Sequence, residues 1–181
     1  MKKLLSLLAF TSILFISCEG DPGPPGPPGP RGEDGFNIVG VVFEEIGVNF
    51  TQANNYKELI PFPENIEVLR TDIVLVYLLE DVVNDGVGGT ADLWTLLPKT
   101  IFTSQGTLQY NFNHSFFDVE VSLEADFNLN NVPQGLALDQ VFRIAIIPAD
   151  EFSQMTDVNL NSMQEVMQAL NKTQKDIIKT F

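Results

Sequence analysis

Apolar and polar residues alternate at every second position along the middle of the chain. The clearest runs are residues 108–112 and 117–123, and Asn113-His114-Ser115 separates them. A period of two places the apolar side chains on one face of a β-strand. These runs therefore predict two antiparallel strands joined by a hairpin. A similar alternation over residues 36–42 predicts the first strand.

Two further runs, residues 73–79 and 141–147, are apolar on both faces, which predicts central strands covered on both sides. Pro98 has no N–H to donate, so residues 93–102 are expected to form an edge strand or a broken one. Turn-forming residues separate the runs at 54–55, 61–65, 84–89, 104–106 and 128–135. About six to eight short strands without a long helical pattern predict an all-β fold, an antiparallel β-sandwich of Ig-like or jelly-roll-like type.

The period of the pattern changes near the C-terminus. Ser162 and Glu165 have the spacing of a helix capping box, and Asn171 can end the helix that follows. The apolar positions of this helix form one stripe: Met163, Val166, Met167 and Leu170. We expect a short C-terminal helix that packs on the sandwich, with a second capped turn at residues 173–176. A trimerising coiled coil is the alternative that the spacing of apolar residues leaves open.

The N-terminus has the layout of an export signal. Lys2 and Lys3 precede an uncharged run over residues 4–16, and Ser17-Cys18 follow. That run is shorter than the about 20 residues that a membrane-spanning helix needs, but it fits the apolar core of a signal peptide. A small residue before the only Cys resembles a bacterial lipoprotein signal, in which cleavage precedes the Cys and its thiol carries diacylglycerol. We expect Cys18 to be lipidated, with an ordinary secretory signal as the alternative.

Glycine recurs at every third position after this signal. The repeat comprises Gly20, Gly23, Gly26, Gly29, Gly32 and Gly35, and all of the intervening residues are Pro or charged. This Gly-X-Y period is typical of collagen, because only glycine fits at the crowded axis of a triple helix. Five triplets extend only about 45 Å. We therefore favour a single-chain polyproline spacer, and a trimeric collagen-like stalk stays open as the alternative.

The signal, Cys18 and the immediate Gly-X-Y run resemble small bacterial collagen-like lipoproteins. The resemblance covers residues 1–35 and implies a β-rich domain after the repeat, in proteins that mostly have no assigned activity. The predicted organisation is a signal peptide over 1–17 and a lipidated Cys with a collagen-like spacer over 18–35. A β-sandwich domain follows over 36–150, and a helical extension over 151–181 completes the chain.

The charge of the chain excludes several partners. Ten Lys and Arg residues against 24 Asp and Glu residues give a net charge of -14. Nucleic-acid binding is not expected, because phosphates are bound by clustered Lys and Arg. Cleavage after residue 17 removes Lys2 and Lys3, so the mature chain needs its covalent anchor to stay on an anionic membrane. Glu19 and Asp21 are either a surface-export signal or part of a solvated tether.

Titratable residues suggest little chemistry. One Cys and one His exclude a disulfide scaffold and a Cys-rich or multi-His metal site, and we expect no metal and no cofactor. Carboxylates around the Gly-rich turn at 84–89 could ligate Ca²⁺, but their spacing does not match an EF-hand, so a polar turn is preferred. The carboxylates concerned are Glu80, Asp81, Asp85 and Asp92.

Three other features are interpreted as structural. His114 lies on a predicted turn without a placed nucleophile, and Asp118 and Glu120 share an outward strand face rather than a cleft. Trp94, the only Trp, lies between leucines and is expected in the core, as are most of the Phe residues. No catalytic motif is found.

These observations predict a non-catalytic lipoprotein of a bacterial envelope. It is expected on the outer membrane, facing the periplasm or the cell surface, where the sandwich presents loops for binding, adhesion or structure. Its ligand would be an unidentified protein or glycan. The alternatives are an envelope hydrolase on the same scaffold and a homotrimeric stalk assembled by the Gly-X-Y run.

Overall fold

The structure, a computed structural model, describes residues 40–64 and 66–180. The predicted signal peptide, Cys18, the Gly-X-Y repeat and most of the predicted first strand lie outside the described residues. Within the described residues, nine strands form two sheets that face each other, and nearly all neighbouring strands are antiparallel. The predicted all-β sandwich is therefore confirmed.

The two sheets have five and four strands. In sheet A the order is β4 (Thr90–Leu96), β3 (Ile73–Asn84), β8 (Gln140–Ile147), β1 (Val41–Val48) and β9 (Ile178–Thr180). In sheet B the order is β2 (Lys57–Pro61), β7 (Asp118–Ala125), β6 (Gly106–His114) and β5 (Lys99–Thr103). Only β1 and β9 pair in parallel among the described strands.

The two fully apolar runs form the centre of sheet A, as predicted. β3 pairs with β4 and β8, and β8 pairs with β3 and β1. Their side chains are buried on both faces: Val76 and Ile144 point towards sheet B, whereas Tyr77 and Ala145 belong to a second apolar cluster. The absence of alternation in these runs thus reflects two apolar layers, one on each side of the sheet.

The segment that contains Pro98 is broken, as predicted. β4 ends at Leu96 and β5 begins at Lys99, and each is an edge strand of a different sheet. Leu97 is buried, and its backbone N–H donates to the Val76 carbonyl at 2.8 Å. The chain therefore crosses from one sheet to the other where proline cannot continue a ladder.

The first strand extends further than predicted. The prediction ended it at residue 42, whereas β1 is Val41–Val48 and continues through Glu44 and Glu45. Two adjacent carboxylates interrupt the apolar alternation, so the sequence pattern ended the strand too early. Two strands were not predicted, because β2 has only five residues, of which the first two are charged, and β9 has only three.

The main core lies between the sheets and is rich in aromatic rings. Phe50, Tyr110 and Phe142 meet edge to face, with ring centroids 5.8 to 6.4 Å apart. Each such pair adds about 0.5–1.5 kcal/mol beyond the area that it buries. The Tyr110 hydroxyl donates to the Leu136 carbonyl at 2.5 Å, and burial raises the pKa of this tyrosine.

Not every Phe is in the core. Phe102, Phe116 and Phe117 are exposed, and Phe117, which was predicted on the apolar face of β7, is 77% exposed. The reason is that β7 begins only at Asp118, so Phe117 belongs to the turn. The predicted hairpin between β6 and β7 is confirmed, with its connection at residues 115–117 rather than 113–115.

A second apolar layer covers the outer face of sheet A. It contains two short helices, α1 (Ala149–Phe152) and α2 (Met163–Ala169). The predicted stripe of α2 is buried against side chains of the sheet, namely Val42, Leu75, Tyr77, Ala145 and Ile147. The helix therefore packs on the sandwich as expected. The coiled-coil alternative was wrong, because the chain's own sheet already buries this stripe.

The ends of α2 follow the predicted pattern with one difference. The Ser162 hydroxyl accepts from the Glu165 N–H at 3.3 Å, but the Glu165 carboxylate accepts from the Asn159 N–H rather than from Ser162. Asn171, with φ of 53°, adopts the left-handed conformation that ends the helix. Thr173 and Asp176 form the second capped turn. Among the described helices, none is long and apolar enough to cross a bilayer.

Candidate functional site

The carboxylates around the Gly-rich turn do not converge, and each binds its own partners. Asp85 Oδ1 accepts from the backbone N–H groups of Val87 and Gly89 at 2.9 and 2.8 Å, and these bonds lower the pKa of Asp85. Glu80 pairs with Lys99 and accepts from the Thr95 hydroxyl, which lowers its pKa. In the described part of the chain, no group of three or more potential metal-ligating side chains comes together.

The other candidates from the sequence do not converge on a cleft. His114 is exposed, and its Nδ1 lies 3.3 Å from the backbone oxygen of Ser115 rather than from the hydroxyl. That hydroxyl donates to Asp118 at 2.6 Å. Glu120, on the outer face of sheet B as predicted, pairs with Lys57 at 2.9 Å. These side chains bind one another in the manner of a solvated surface.

A cleft lies instead on the outer side of sheet A, between β4 and α2. We call it the Trp94 cleft, and its volume is about 710 Å³, within the range of small-molecule sites. Its lining is formed by Thr90, Ala91, Asp92, Leu93, Trp94, Arg143, Ser162, Met163, Gln164, Met167, Gln168, Lys172, Thr173 and Gln174. The cleft thus combines one edge strand, the centre of the sheet and the C-terminal segment.

Arg143 forms the floor of the cleft and is only 2% exposed. It lies directly opposite Glu44 in the β1–β8 register, and its Nε and Nη2 donate to Glu44 Oε2 at 3.1 and 2.6 Å. Nη2 also donates to Gln174 Oε1 at 3.3 Å, whereas Nη1 has Met167 Sδ at 3.8 Å. A buried arginine is tolerated only with such partners.

Further charges surround this buried pair. Asp92 Oδ2 lies 3.9 Å from Arg143 Nη2, and Lys179 Nζ lies 3.5 Å from Glu44 Oε1. Two positive and two negative groups therefore balance one another at the floor. A ligand would meet a polar surface that is locally close to neutral.

Trp94 covers the arginine. The Arg143 Cζ lies 3.9 Å from the centroid of the Trp94 ring, a cation–π distance. The indole Nε1 is buried and has no hydrogen-bond partner among the described residues. Trp94 is half-buried and packs with the outer cluster, so the prediction that it lies in the core holds only for that outer layer.

A second cavity, of about 510 Å³, opens at the edge of the main core. Its polar groups have partners: Glu80 pairs with Lys99, the Tyr110 hydroxyl donates to Leu136, and Gln140 Nε2 donates to the carbonyl of Leu138 at 2.7 Å. Nothing in this cavity calls for a ligand, and the Trp94 cleft is the better candidate.

Sequence reasoning missed the Trp94 cleft. Arg143 stands inside an otherwise apolar run, and a lone charge in a central strand was the signal that could have found it. Its partner Glu44 lies 99 residues earlier, and no local pattern connects the two. The strand register is what brings them together.

The polar side chains of the cleft can be compared with those of hydrolytic sites. Among the described residues that line it, Asp92 is the only carboxylate, His and Cys are absent, and the Ser162 hydroxyl caps α2. Acid–base hydrolysis of a glycosidic bond uses two facing carboxylates, and acyl transfer uses a nucleophile with an adjacent base. The lining offers hydrogen-bond donors and acceptors and an aromatic ring. Comparison with protein families, with curated proteins and with solved structures finds no match to this chain.

Proposed function

We propose that this chain is a lipid-anchored, non-catalytic binding protein of a bacterial envelope, on the outer membrane. In this proposal Cys18 carries the lipid, the Gly-X-Y segment is a spacer, and the sandwich binds a ligand in the Trp94 cleft. The sandwich would be of Ig-like or jelly-roll-like type, facing the periplasm or the cell surface.

The observation that carries the binding part is the open cleft of about 710 Å³ on the outer face of sheet A, where the Trp94 ring packs on the neutralised Arg143. A rigid sheet holds both side chains in place, so the site is ordered before a ligand arrives.

The anchor is supported by the sequence alone. Cys18 is the only Cys, and it directly follows an uncharged run and a small residue. The acidic mature chain would not stay on an anionic membrane by charge, so retention there calls for acyl chains.

The anchor is tested by expressing the protein with its own signal and separating it between detergent and water after labelling with a radioactive fatty acid. The wild-type chain is expected to carry label and to enter the detergent phase. Cys18→Ser should lose the label and move to the aqueous phase, whereas the control Ser17→Ala should behave as wild type. A Cys18→Ser chain that stays labelled in detergent would contradict the anchor.

The six in-phase glycines also favour a second candidate, a trimeric stalk. Light scattering in the cold on the mature chain distinguishes the two. A trimer that is lost in Gly26→Ala would establish the stalk, because a side chain at the axis breaks a triple helix. A monomeric mass for both chains would support the spacer.

A further inference from the structure

We propose that the open edge of β4 binds an extended, basic peptide of another protein as an additional antiparallel strand. The proposal rests on the proposed binding function of the sandwich and names the ligand class. Residues 90–94 of β4 line the Trp94 cleft, so a strand paired with β4 would lie along the rim of that cleft. Three observations carry the proposal: the composition of this edge, the direction of its backbone groups and the charge around it.

The four edge strands among the described residues differ in how they are protected. β2 ends in Pro61, β5 begins at Lys99, and β9 has only three residues. Proline, lysine and short length are common means by which an edge strand avoids pairing with another chain. β4 has seven residues and contains neither proline nor lysine. It is therefore the edge that can best accept a further strand.

The backbone of β4 alternates between bonding to β3 and facing the open edge. At one end the Leu97 N–H donates to the Val76 carbonyl at 2.8 Å. At the other end the Gly89 carbonyl accepts from the Asp85 N–H at 3.1 Å. In an antiparallel pair every second residue bonds to the neighbouring strand, so the odd-numbered residues of β4 bond to β3.

The even-numbered residues of β4 consequently direct their N–H and C=O groups away from β3. Residues 90–93 are exposed, and no other described strand pairs with this edge. Thr90 and Asp92 thus present backbone donors and acceptors at the spacing of a strand ladder. Such a row of free groups is what an extended peptide uses when it adds to a sheet.

The side chains of this edge define the sequence that would fit. The Asp92 carboxylate lies on the outer face, and its side chain is 37% exposed although Arg143 is 3.9 Å away. Ala91 and Leu93 lie on the opposite face of the strand and are also exposed, Leu93 by 45%. Since directly opposite side chains interact across a ladder, a basic residue fits opposite Asp92, with an apolar residue on each side of it.

The charge of the surroundings favours a basic partner over a second copy of this chain. Asp81 and Asp85 belong to the same β3–β4 hairpin as Asp92, and both carboxylates accept only from nearby backbone N–H groups. The net charge of -14 makes two copies repel each other, whereas it attracts a cationic peptide.

The test uses a short peptide and the ¹⁵N-labelled mature protein in detergent. The probe is acetyl-Thr-Val-Lys-Val-Thr-amide, and a peptide with Glu in place of Lys is its acidic counterpart. We expect the Lys peptide to bind with a Kd of about 0.1–1 mM and the Glu peptide at least about tenfold more weakly. Hydrogen exchange of the Thr90 and Asp92 N–H groups should become slower when the Lys peptide is bound, because these groups then donate to it.

A modified peptide tests the backbone pairing without altering the protein. A methyl group on the lysine backbone nitrogen removes the N–H that would face β4, and binding should weaken about tenfold or more. A methyl group on the nitrogen of a neighbouring valine, which would face away from β4, should weaken binding much less.

Variants of Asp92 separate the backbone from the carboxylate. Asp92→Pro removes an N–H that faces away from the sheet, a position at which an edge strand tolerates proline, and it should weaken the Lys peptide about tenfold or more. Asp92→Ala keeps the N–H and should reduce the preference for Lys over Glu. The control Asp150→Ala, in α1, removes an exposed carboxylate elsewhere and should leave Kd unchanged. Circular dichroism melting shows that each variant keeps the fold.

Each contrary result overturns a defined part. No binding of the Lys peptide at about 10 mM would overturn the peptide assignment, and if Cys18 is labelled in the same protein the anchor stays intact. Binding that leaves the exchange of Thr90 and Asp92 unchanged would overturn the edge while leaving a ligand in the cleft. A dimeric mass in light scattering that is lost in Asp92→Pro would assign the edge to a second copy instead.

Discussion

The two faces of sheet A show how one sheet can serve both a closed core and an open site. Towards sheet B, β8 presents Phe142, Ile144 and Ile146, which are buried in an apolar cluster without a charge. On the other face the same strand presents Arg143 and Ala145 under the C-terminal segment. Successive side chains of one strand therefore enter different environments.

The difference lies in what covers each face. A four-stranded sheet covers the inner face, whereas α2, with seven residues, and loops cover the outer one. A helix of two turns cannot shield the full width of five strands. The part that it leaves open is where Trp94 and Arg143 form the cleft. Rigidity on one side of the sheet is thus combined with access on the other.

The largest expected effect comes from the same substitution made in each layer. Leu108 and Leu170 are both almost fully buried, the first between the sheets and the second under the outer layer. Leu→Ala in a core lowers the free energy of unfolding by about 2–5 kcal/mol, depending on how far the site can collapse. We expect Leu108→Ala near the upper value and Leu170→Ala near the lower, since a short helix can settle and two sheets cannot.

Urea unfolding followed by circular dichroism measures both losses, provided that the slope of the free energy of unfolding against urea concentration is the same in the wild type and the variants. The distant substitution Leu69→Ala, at a partly exposed position, is the control for the change of residue type. Equal losses for Leu108→Ala and Leu170→Ala would show that the two layers are equally rigid.

The second prediction concerns the buried charges of the outer face. Arg143→Met removes the guanidinium and leaves Glu44 buried at 6% exposure without its main partner. Breaking such a pair costs about 3–5 kcal/mol, and the double variant Glu44→Met with Arg143→Met should recover most of it. Urea unfolding of Glu44→Met, Arg143→Met and the double variant gives the free energies of a double-mutant cycle. A double variant as unstable as Arg143→Met would mean that the pair is not the cause.

Much of this fold could be predicted from the sequence, because its signals are local. The runs at 73–79 and 141–147 are apolar on both faces, and this property alone identified the central strands. Pro98 marked the break between the sheets, since a residue without an N–H cannot continue a ladder. The Ser162 cap and the apolar stripe predicted α2, because both are local signals as well.

The cleft could not be predicted, because it depends on contacts that are distant in the chain. Glu44 and Arg143 meet through strand register, and Glu44 instead made β1 look shorter than it is. The candidates that the sequence did offer, such as Asp85 and His114, are surface residues of turns. Their residue types suggested chemistry, but their partners are local backbone groups.

The third prediction compares one tyrosine from each face. The hydroxyls of Tyr77, on the outer face, and Tyr110, on the inner face, each donate to a carbonyl, and burial raises both pKa values. Unfolded tyrosine ionises near pH 10, so stability from the neutral phenols is fully present below about pH 10 and falls as the pH rises above it.

Guanidinium unfolding at several pH values tests this point. At about pH 8, Tyr77→Phe and Tyr110→Phe should each lose about 1 kcal/mol, the value of a typical hydrogen bond. Above about pH 10 each variant should lose stability less steeply than the wild type, because one ionising group is gone. Parallel curves for wild type and variants would contradict the assignment of the alkaline loss to these tyrosines.

The smallest effect is expected outside both layers. Phe102 is 85% exposed on the edge strand β5, so Phe102→Ser should change the free energy of unfolding by no more than about 0.5 kcal/mol. Thermal melting of this variant beside Leu108→Ala measures the contrast. A large loss would show that Phe102 is covered in solution by something outside the described residues.

The most direct test of the account is the NMR signal of the single indole N–H in the ¹⁵N-labelled mature protein. We expect one Trp94 correlation that exchanges slowly with water, since Nε1 is buried and the ring packs on Arg143. A correlation that exchanges rapidly with water would contradict the claim that the outer face of sheet A holds Trp94 and Arg143 in a preformed site.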